Sequence, residues 1–281
     1  MRFYYETLSL SDSEFTILRD LVHERIGLFY DNGKREQLAD KLSPLVLESG
    51  LSSFLDFYYL LRYDDVNAGP QWERVADALS VQETYFWREM DQVRALVDVL
   101  APAHFASNTC RPLRIWSAGC ATGEEPLTIA MALDEAGWLR RGNIEIHASD
   151  MSPAAIEKAR KGLYRERSFR NLPPRLKTRY FVSHEGCWQV DPELHSRIRW
   201  SVINLRAHRE AVSRIPEMSV IFCRNVFIYF SEAGVRSTVR LFYDRLQTPG
   251  YLCVGAAESL LKATGDLELE EIGGAFVYVK R

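Results

Sequence analysis

Residues 114–126 read RIWSAGCATGEEP, and an apolar run from Leu127 to Leu133 follows at once. Ile115 and Trp116 ahead of a glycine-rich turn predict a strand over Arg114–Ser117, and the run after Pro126 predicts a helix. Strand, Gly-rich turn and helix in series form the unit with which open α/β sheets hold a nucleotide-like ligand. Gly119 and Gly123 let the backbone come close to that ligand, and the helix start presents N–H groups without helical partners. The spacing is not G-x-G-x-x-G and no Lys follows as in a P-loop, which disfavours a dinucleotide and a triphosphate alike. Glu124 and Glu125 at the helix start would repel pyrophosphate. They suit a zwitterionic or cationic ligand such as the methionine end of S-adenosylmethionine.

Working outward, the segment Ile144–Ser149 predicts a strand that ends at Asp150, where an acid can accept hydrogen bonds from ribose hydroxyls. Asp before Met-Ser-Pro also reads as a helix N-cap. Further strands are expected at Arg199–Ile203, Val220–Cys223, Tyr251–Val254, Leu267–Ile272 and Phe276–Lys280. Gly273-Gly274 forms a hairpin turn that sets the final strand antiparallel to its partner. Strands alternating with helices define an α/β class, here a Rossmann-like, mostly parallel sheet. Cys223-Arg224-Asn225, running on to Tyr229, puts polar residues at the carboxyl edge where such sheets bind ligands. Residues 162–199 break the alternation with Pro173-Pro174, several arginines and a His-Glu-Gly turn before Trp188, and are expected to form a small subdomain at the sheet's edge.

The first 82 residues read as a small helical domain, with residues 83–281 forming the sheet domain. Ser11 and Glu14 have capping-box spacing, Phe15, Leu18, Val22 and Ile26 share one helical stripe, and Gly27 stops it. A second helix carries Leu38, Leu42, Leu45 and Val46 and is expected to be disturbed by Pro44. A third runs around Phe54 to Leu61, and an Asn-Ala-Gly-Pro turn at 67–70 precedes a fourth carrying Trp72, Val75 and Leu79. One more helix, with Val93, Leu96, Val97 and Leu100, leads into the sheet.

The 281 residues are 47% hydrophobic and 26% charged, which suits a packed globular protein. No stretch reaches the roughly 18 apolar residues of a membrane span, and the N-terminus lacks a signal pattern, so a cytoplasmic location is expected. The five cysteines form no C-x-x-C pair, and reduced thiols are expected. His184, His195 and His208 lack the spacing of a zinc site, and no metal is expected. A net charge of −3 conceals an asymmetry: residues 1–80 hold 8 Lys and Arg against 14 Asp and Glu, whereas residues 151–215 hold 14 against 6. The basic segment is either solvated surface or a face toward an acidic partner.

QETYFWR (82–88), SAGCATGEEP (117–126), HASD (147–150), VINL (202–205) and IFCRNVFIYF (221–230) together resemble the CheR-type chemotaxis receptor methyltransferases, over nearly the whole chain. The resemblance implies a small N-terminal all-helical domain, a Rossmann-like S-adenosylmethionine-dependent methyltransferase sheet and an inserted β-subdomain. It implies methyl transfer to glutamate side chains on the cytoplasmic helical domain of a methyl-accepting chemoreceptor, with S-adenosylhomocysteine as product. Cofactor contacts then fall on Gln82, Thr84, Arg88, Glu125, Asp150, Asn204, Leu205, Arg224 and Asn225, with Gly119 in the turn. Arg88 and Tyr229 are implied to lie nearest the methyl group. Gln82 stands where the family usually has Asn. The helix expected to meet the acidic receptor offers only Lys34, Arg35 and Lys41, and the loop in VSHEGCWQV is short for gripping a tethering peptide. A monomer without nucleic acid is expected. Two alternatives remain at this point: a methyltransferase of the same fold with another acceptor, and a non-catalytic module that senses the cofactor.

Overall fold

A computed structural model describes residues 8–64, 66–107, 110–206 and 215–281; His208 and the charges of residues 207–214 lie outside the described residues. Helix α1 (Asp12–Ile26) opens on the expected capping box. The Ser11 hydroxyl accepts from the Glu14 N–H at 3.3 Å, and the Glu14 carboxylate accepts from the Ser11 N–H at 3.0 Å. Gly27, at φ 87°, ends the helix. Helices α2 (Arg35–Glu48), α3 (Phe54–Tyr63) and α4 (Ala68–Leu79) pack with it around Leu18, Val22, Leu38, Leu42, Phe57 and Val75.

Two expectations change here. Pro44 sits inside α2 without ending it. A mid-helix proline costs roughly 3 kcal/mol, but Leu42, Leu45 and Val46 flank it in the core, and each such burial contributes about 1.5–3 kcal/mol. The Asn67-Ala-Gly-Pro70 segment is a helix start, with Asn67 as cap and Pro70 in the first turn of α4, where a missing N–H is tolerated.

The chain then runs through α5 (Met90–Ala95), a π-helical turn (Leu96–Leu100) and α6 (Ala101–Ala106) into β1 (Leu113–Ala118), α7 (Glu124–Glu135), α8 (Trp138–Arg141), β2 (Ile144–Asp150) and α9 (Pro153–Lys161). Next come β3 (Leu163–Tyr164), α10 (Pro174–Tyr180), β4 (Phe181–His184), β5 (Cys187–Val190), α11 (Pro192–Ser196) and β6 (Ile198–Val202). The last part holds β7 (Met218–Cys223), α12 (Glu232–Arg245), β8 (Leu246–Val254), β9 (Glu268–Ile272) and β10 (Ala275–Lys280).

Seven strands form one sheet in the order β6-β2-β1-β7-β8-β10-β9, parallel except where β10 runs against both of its neighbours. Gly273 and Gly274, at φ 58° and 82°, supply the left-handed turn of the β9–β10 hairpin. Residues 162–199 carry a second sheet, β3-β5-β4. Chain direction reverses its progress across the large sheet between β1 and β7, and there the carboxyl ends of the strands leave a crevice.

The helical layer closes over that crevice. The Phe29 N–H donates to the Tyr229 carbonyl at 2.8 Å, His23 and Ser231 share a hydrogen bond of 2.7 Å, and the Asn204 amide donates to the Arg25 carbonyl at 2.8 Å. Met151, Tyr229 and Phe230 pack against the helical core. All five cysteines are free thiols, and Cys120, Cys223 and Cys253 are buried. No helix among the described residues is long and apolar enough to cross a membrane.

Candidate active site

An open cleft, about 990 Å³ when the solvent space at its opening is counted, lies at the carboxyl ends of β1, β2 and β7, the place where open α/β sheets bind ligands. The β1–α7 turn contributes Gly119, Cys120 and Ala121 to its floor, and Glu125 stands behind them. Asp150 and Met151 come from the end of β2, and Ile203, Asn204 and Leu205 from the end of β6. Arg224, Asn225, Val226 and Tyr229 follow β7, and Thr84, Tyr85 and Arg88 come from the segment ahead of α5. Ile26 and Leu28 of the helical layer complete the wall. The residues expected from the sequence thus meet in one place, with one exception.

Gln82 faces the other way. Its carbonyl accepts from the Lys158 ammonium at 3.1 Å and its amide reaches Ser152 at 3.4 Å, in a neighbouring depression. Glu124 also departs from expectation. It is buried on the far side of the turn, accepting from Ser168 at 2.9 Å and Thr122 at 2.6 Å, and burial raises its carboxyl above the ordinary range. Of the two adjacent acids, only Glu125 borders the cleft, because successive positions on a helix point about 100° apart.

Backbone strain concentrates here. Among the described residues five non-glycine residues have positive φ, and four of them, Trp87, Glu89, Ala121 and Asn225, lie at or beside the cleft. Such conformations cost on the order of 1–3 kcal/mol each and persist only when neighbours hold them. The holders are identifiable. The Thr128 hydroxyl accepts from the Trp87 N–H at 3.1 Å, and Asp150 accepts from the Ala121 N–H at 2.9 Å. Arg224 donates to the Glu89 carbonyl at 2.7 Å and the Arg88 carbonyl at 3.1 Å. Glu258 accepts from the N–H groups of Asn225 and Gly255, both at 2.8 Å.

Arg224 is itself buried and paired with Glu125 at 2.7 Å, while Ser117 donates to the other Glu125 oxygen at 2.7 Å. The pair therefore joins β1, α7 and β7 to the segment carrying Arg88. Much of Arg224's hydrogen-bonding capacity goes to this frame. Asn204 is similarly occupied, its amide holding Arg25 and its carbonyl accepting from the Arg206 N–H at 2.9 Å. Arg88 donates to the Glu83 carbonyl at 3.1 Å and lies 3.5 Å from the Glu89 carboxylate, with a quarter of its side chain exposed.

Glu258 and Ser117 escaped the sequence reading. Glu258 follows the end of β8 just as Asp150 ends β2, so an acid after a strand was the available signal. Asp150 is half-buried in the cleft wall, and desolvation there raises its carboxyl, with backbone hydrogen bonds from Ser152 and Ala121 opposing the rise. The Cys120 thiol borders the cleft, but burial, then Asp150 and Glu125, push it well above the ordinary thiol range. It is not poised as a nucleophile.

The lining suits S-adenosylmethionine. Acidic groups stand at the strand ends where ribose hydroxyls and an ammonium group can be met, Met151, Ile203 and Leu205 offer apolar surface for a base, and Arg88 offers a cation for a carboxylate. Among the described residues, no group of three or more His, Cys, Asp or Glu is arranged to hold a metal ion.

Residues 82–274 match the family described as CheR methyltransferase, SAM binding domain, and residues 13–80 match CheR methyltransferase, all-alpha domain. Fold and cleft together are those of an S-adenosylmethionine-dependent methyltransferase. Chemotaxis protein methyltransferase 2 of Vibrio cholerae serotype O1 is 32% identical over 96% of this chain and 94% of its own. The chemotaxis protein methyltransferase of Escherichia coli K12 is 32% identical over 90% and 87%. The chain belongs to the CheR methyltransferase family.

Proposed function

We propose that the protein transfers the methyl group of S-adenosylmethionine to glutamate side chains on the cytoplasmic helical domain of a methyl-accepting chemoreceptor, leaving glutamyl methyl esters and S-adenosylhomocysteine. In this reading residues 1–82 form the helical domain, residues 83–281 the methyltransferase domain, and the protein works as a cytoplasmic monomer. The observation that carries it is the cleft, whose lining brings Arg88 and Tyr229 together with the Gly119 turn in a chain similar to chemotaxis protein methyltransferases.

The bound cofactor supplies an electrophilic methyl on a sulfonium. A glutamate side chain, with a pKa of about 4.3, is already ionised at neutral pH and needs no general base. The protein's task is then to position. Arg88 orients the incoming carboxylate by a charge-assisted hydrogen bond, and Tyr229 bounds the other side. Alignment in a partly dehydrated cleft supplies most of the acceleration. Thr84, Asp150, Leu205 and Asn225 hold the cofactor, while Glu125, Asn204 and Arg224 shape its walls.

Incubation with radiolabelled S-adenosylmethionine and membranes carrying the host's receptors tests this. Label on receptor that alkali releases as methanol is expected. Alkali-resistant label, or label in RNA, overturns the glutamate acceptor and leaves the methyltransferase class intact.

A further inference from the structure

We propose that the acidic receptor helix docks on a belt of cations that begins at the mouth of the cleft with Arg88 and continues through Arg170, Arg167 and Arg165 to Lys158. The proposal rests on the receptor-glutamate reading above and adds the surface that recognises the acceptor. Its first link is Tyr85, whose ring lies under the Arg170 guanidinium at 3.7 Å and 5.5 Å from that of Arg88. Glu83, paired with Arg170 at 2.7 Å, is the belt's exposed acid, and the positive charges of Arg170, Arg88 and Arg167 all act on it. Arg165, Arg167 and Lys158 line the neighbouring depression, whose Gln82, Thr122 and Glu124 are next in sequence to Glu83, Ala121 and Glu125 of the cleft. All three are exposed. Among the described residues, no hydrogen bond or ion pair engages the Arg165 or Arg167 guanidinium, and Lys158 meets the neutral Gln82.

Other cations of this basic segment are neutralised within the protein. Lys161 pairs with Glu157, Arg175 with Glu135, Lys177 with Glu166, and Arg179 with Asp134 and Glu135. In the helical domain the three cations expected to meet the receptor are engaged. Lys34 pairs with Asp31, Arg35 with Asp12, and Lys41 is turned inward to the Leu79 carbonyl. Within the belt Arg170 and Arg88 are paired with Glu83 and Glu89, so the uncompensated charge lies on Arg165, Arg167 and Lys158, on the Gln82 side of the cleft.

A helix bearing methylatable glutamates presents carboxylates at intervals of one turn, about 5.4 Å. With one carboxylate at Arg88, the belt offers further cations to carboxylates elsewhere on the same helix. Steering by exposed charge raises encounter rate and fixes register, and it is weakened by salt. It also discriminates product from substrate, because each ester formed removes one carboxylate from the helix.

The test is the initial rate of methyl transfer to the purified cytoplasmic fragments of the host's receptors, using the wild type and an Arg165→Glu/Arg167→Glu variant. The variant is expected to raise KM for the fragment by roughly tenfold or more, with turnover at saturation and S-adenosylhomocysteine affinity within about twofold and a shallower dependence on salt. Arg165→Lys/Arg167→Lys should restore KM, and a charge-matched Arg236→Glu/Arg240→Glu variant on α12 should leave it unchanged. Melting and product binding verify that each variant is folded. An unchanged KM in the first variant, with the wild type active, overturns the belt alone. Equal loss in the α12 variant, which would mean a general charge effect, also overturns it. Retention of a short RNA by the wild type that the first variant loses, with KM unaltered, reassigns the belt to nucleic acid. No transfer by the wild type to any receptor overturns the functional reading and the belt with it.

Discussion

Arg88 bears on chemistry through its side chain and on architecture through its backbone, and the two can be separated. Its guanidinium reaches into the cleft, while its carbonyl is held by Arg224. Arg88→Ala removes the first and spares the second. Affinity for S-adenosylhomocysteine is expected to stay within roughly tenfold while turnover falls by two orders of magnitude or more, the scale of a lost charge-assisted bond with its alignment; single-turnover rates at saturating receptor decide this, and unchanged turnover removes Arg88 from the mechanism. Asp150 offers a test by pH. Burial raises its carboxyl, and ribose hydroxyls prefer the ionised acceptor, so a proton and the product compete. Product affinity is expected to be flat above the raised pKa and to fall as pH drops through it, when calorimetry is run from about pH 8 to 5. An acid whose folded pKa lies above its unfolded value stabilises the empty fold on acidification. Loss of binding through Asp150 is thus distinguishable from unfolding. Asp150→Asn should lower affinity by roughly 10–100-fold and flatten the profile.

The loops that bound the cleft are strained, and each is held by a side chain from another element. Glu258 ties the Asn225 turn to its own loop, accepting from the Asn225 N–H and the Gly255 N–H, both at 2.8 Å. Removing a buried acceptor leaves these donors unpaired at about 1–3 kcal/mol each. Glu258→Ala is therefore expected to lower the denaturation midpoint clearly and weaken product binding, whereas Glu258→Gln, which keeps one acceptor oxygen, should recover part of both. A denaturant titration with and without product reads both effects. Equal behaviour of the two variants would show that Glu258 acts by bulk alone. The β1–α7 turn is less forgiving. Gly119 has φ 77°, and a Cβ there would lie 2.6 Å from a Val226 methyl carbon. Gly119→Ala should destabilise by about 1–3 kcal/mol and abolish measurable product binding in calorimetry; retained binding would mean that the turn tolerates displacement of Val226.

Across the whole molecule, the cleft is built at a seam. Ile26 and Leu28 come from the helical layer, and the Phe29–Tyr229 hydrogen bond ties that layer to the segment after β7. A ligand in the cleft touches both sides and stabilises their contact, since whatever binds only the assembled form shifts the equilibrium toward it. Saturating S-adenosylhomocysteine is expected to slow amide exchange at residues 27–29 along with residues 84–89, by at least about tenfold at a hundredfold excess over Kd. Slowing confined to the sheet residues would mean that the helical layer does not close on the cofactor.

Much of this was legible in the chain itself wherever the cause is local. The strand, turn and helix around Gly119, the Ser11–Glu14 cap and the Gly273-Gly274 hairpin each follow from a few neighbouring residues. The family motifs bring Asp150 and Asn225 together because they sit at or just after strand ends, which a parallel sheet gathers at one edge, while Thr84 reaches them from the segment ahead of α5. Only the tertiary structure decided that Gln82 turns to Lys158, that Glu124 is buried while Glu125 meets Arg224, and that Pro44 leaves its helix intact. It alone revealed Glu258, and it decided which cations stay unneutralised. The reason is physical: the direction and charge state of a side chain are set by partners brought near in space, as Arg224 and Glu89 are across 135 residues of sequence, and no local pattern encodes such a partner.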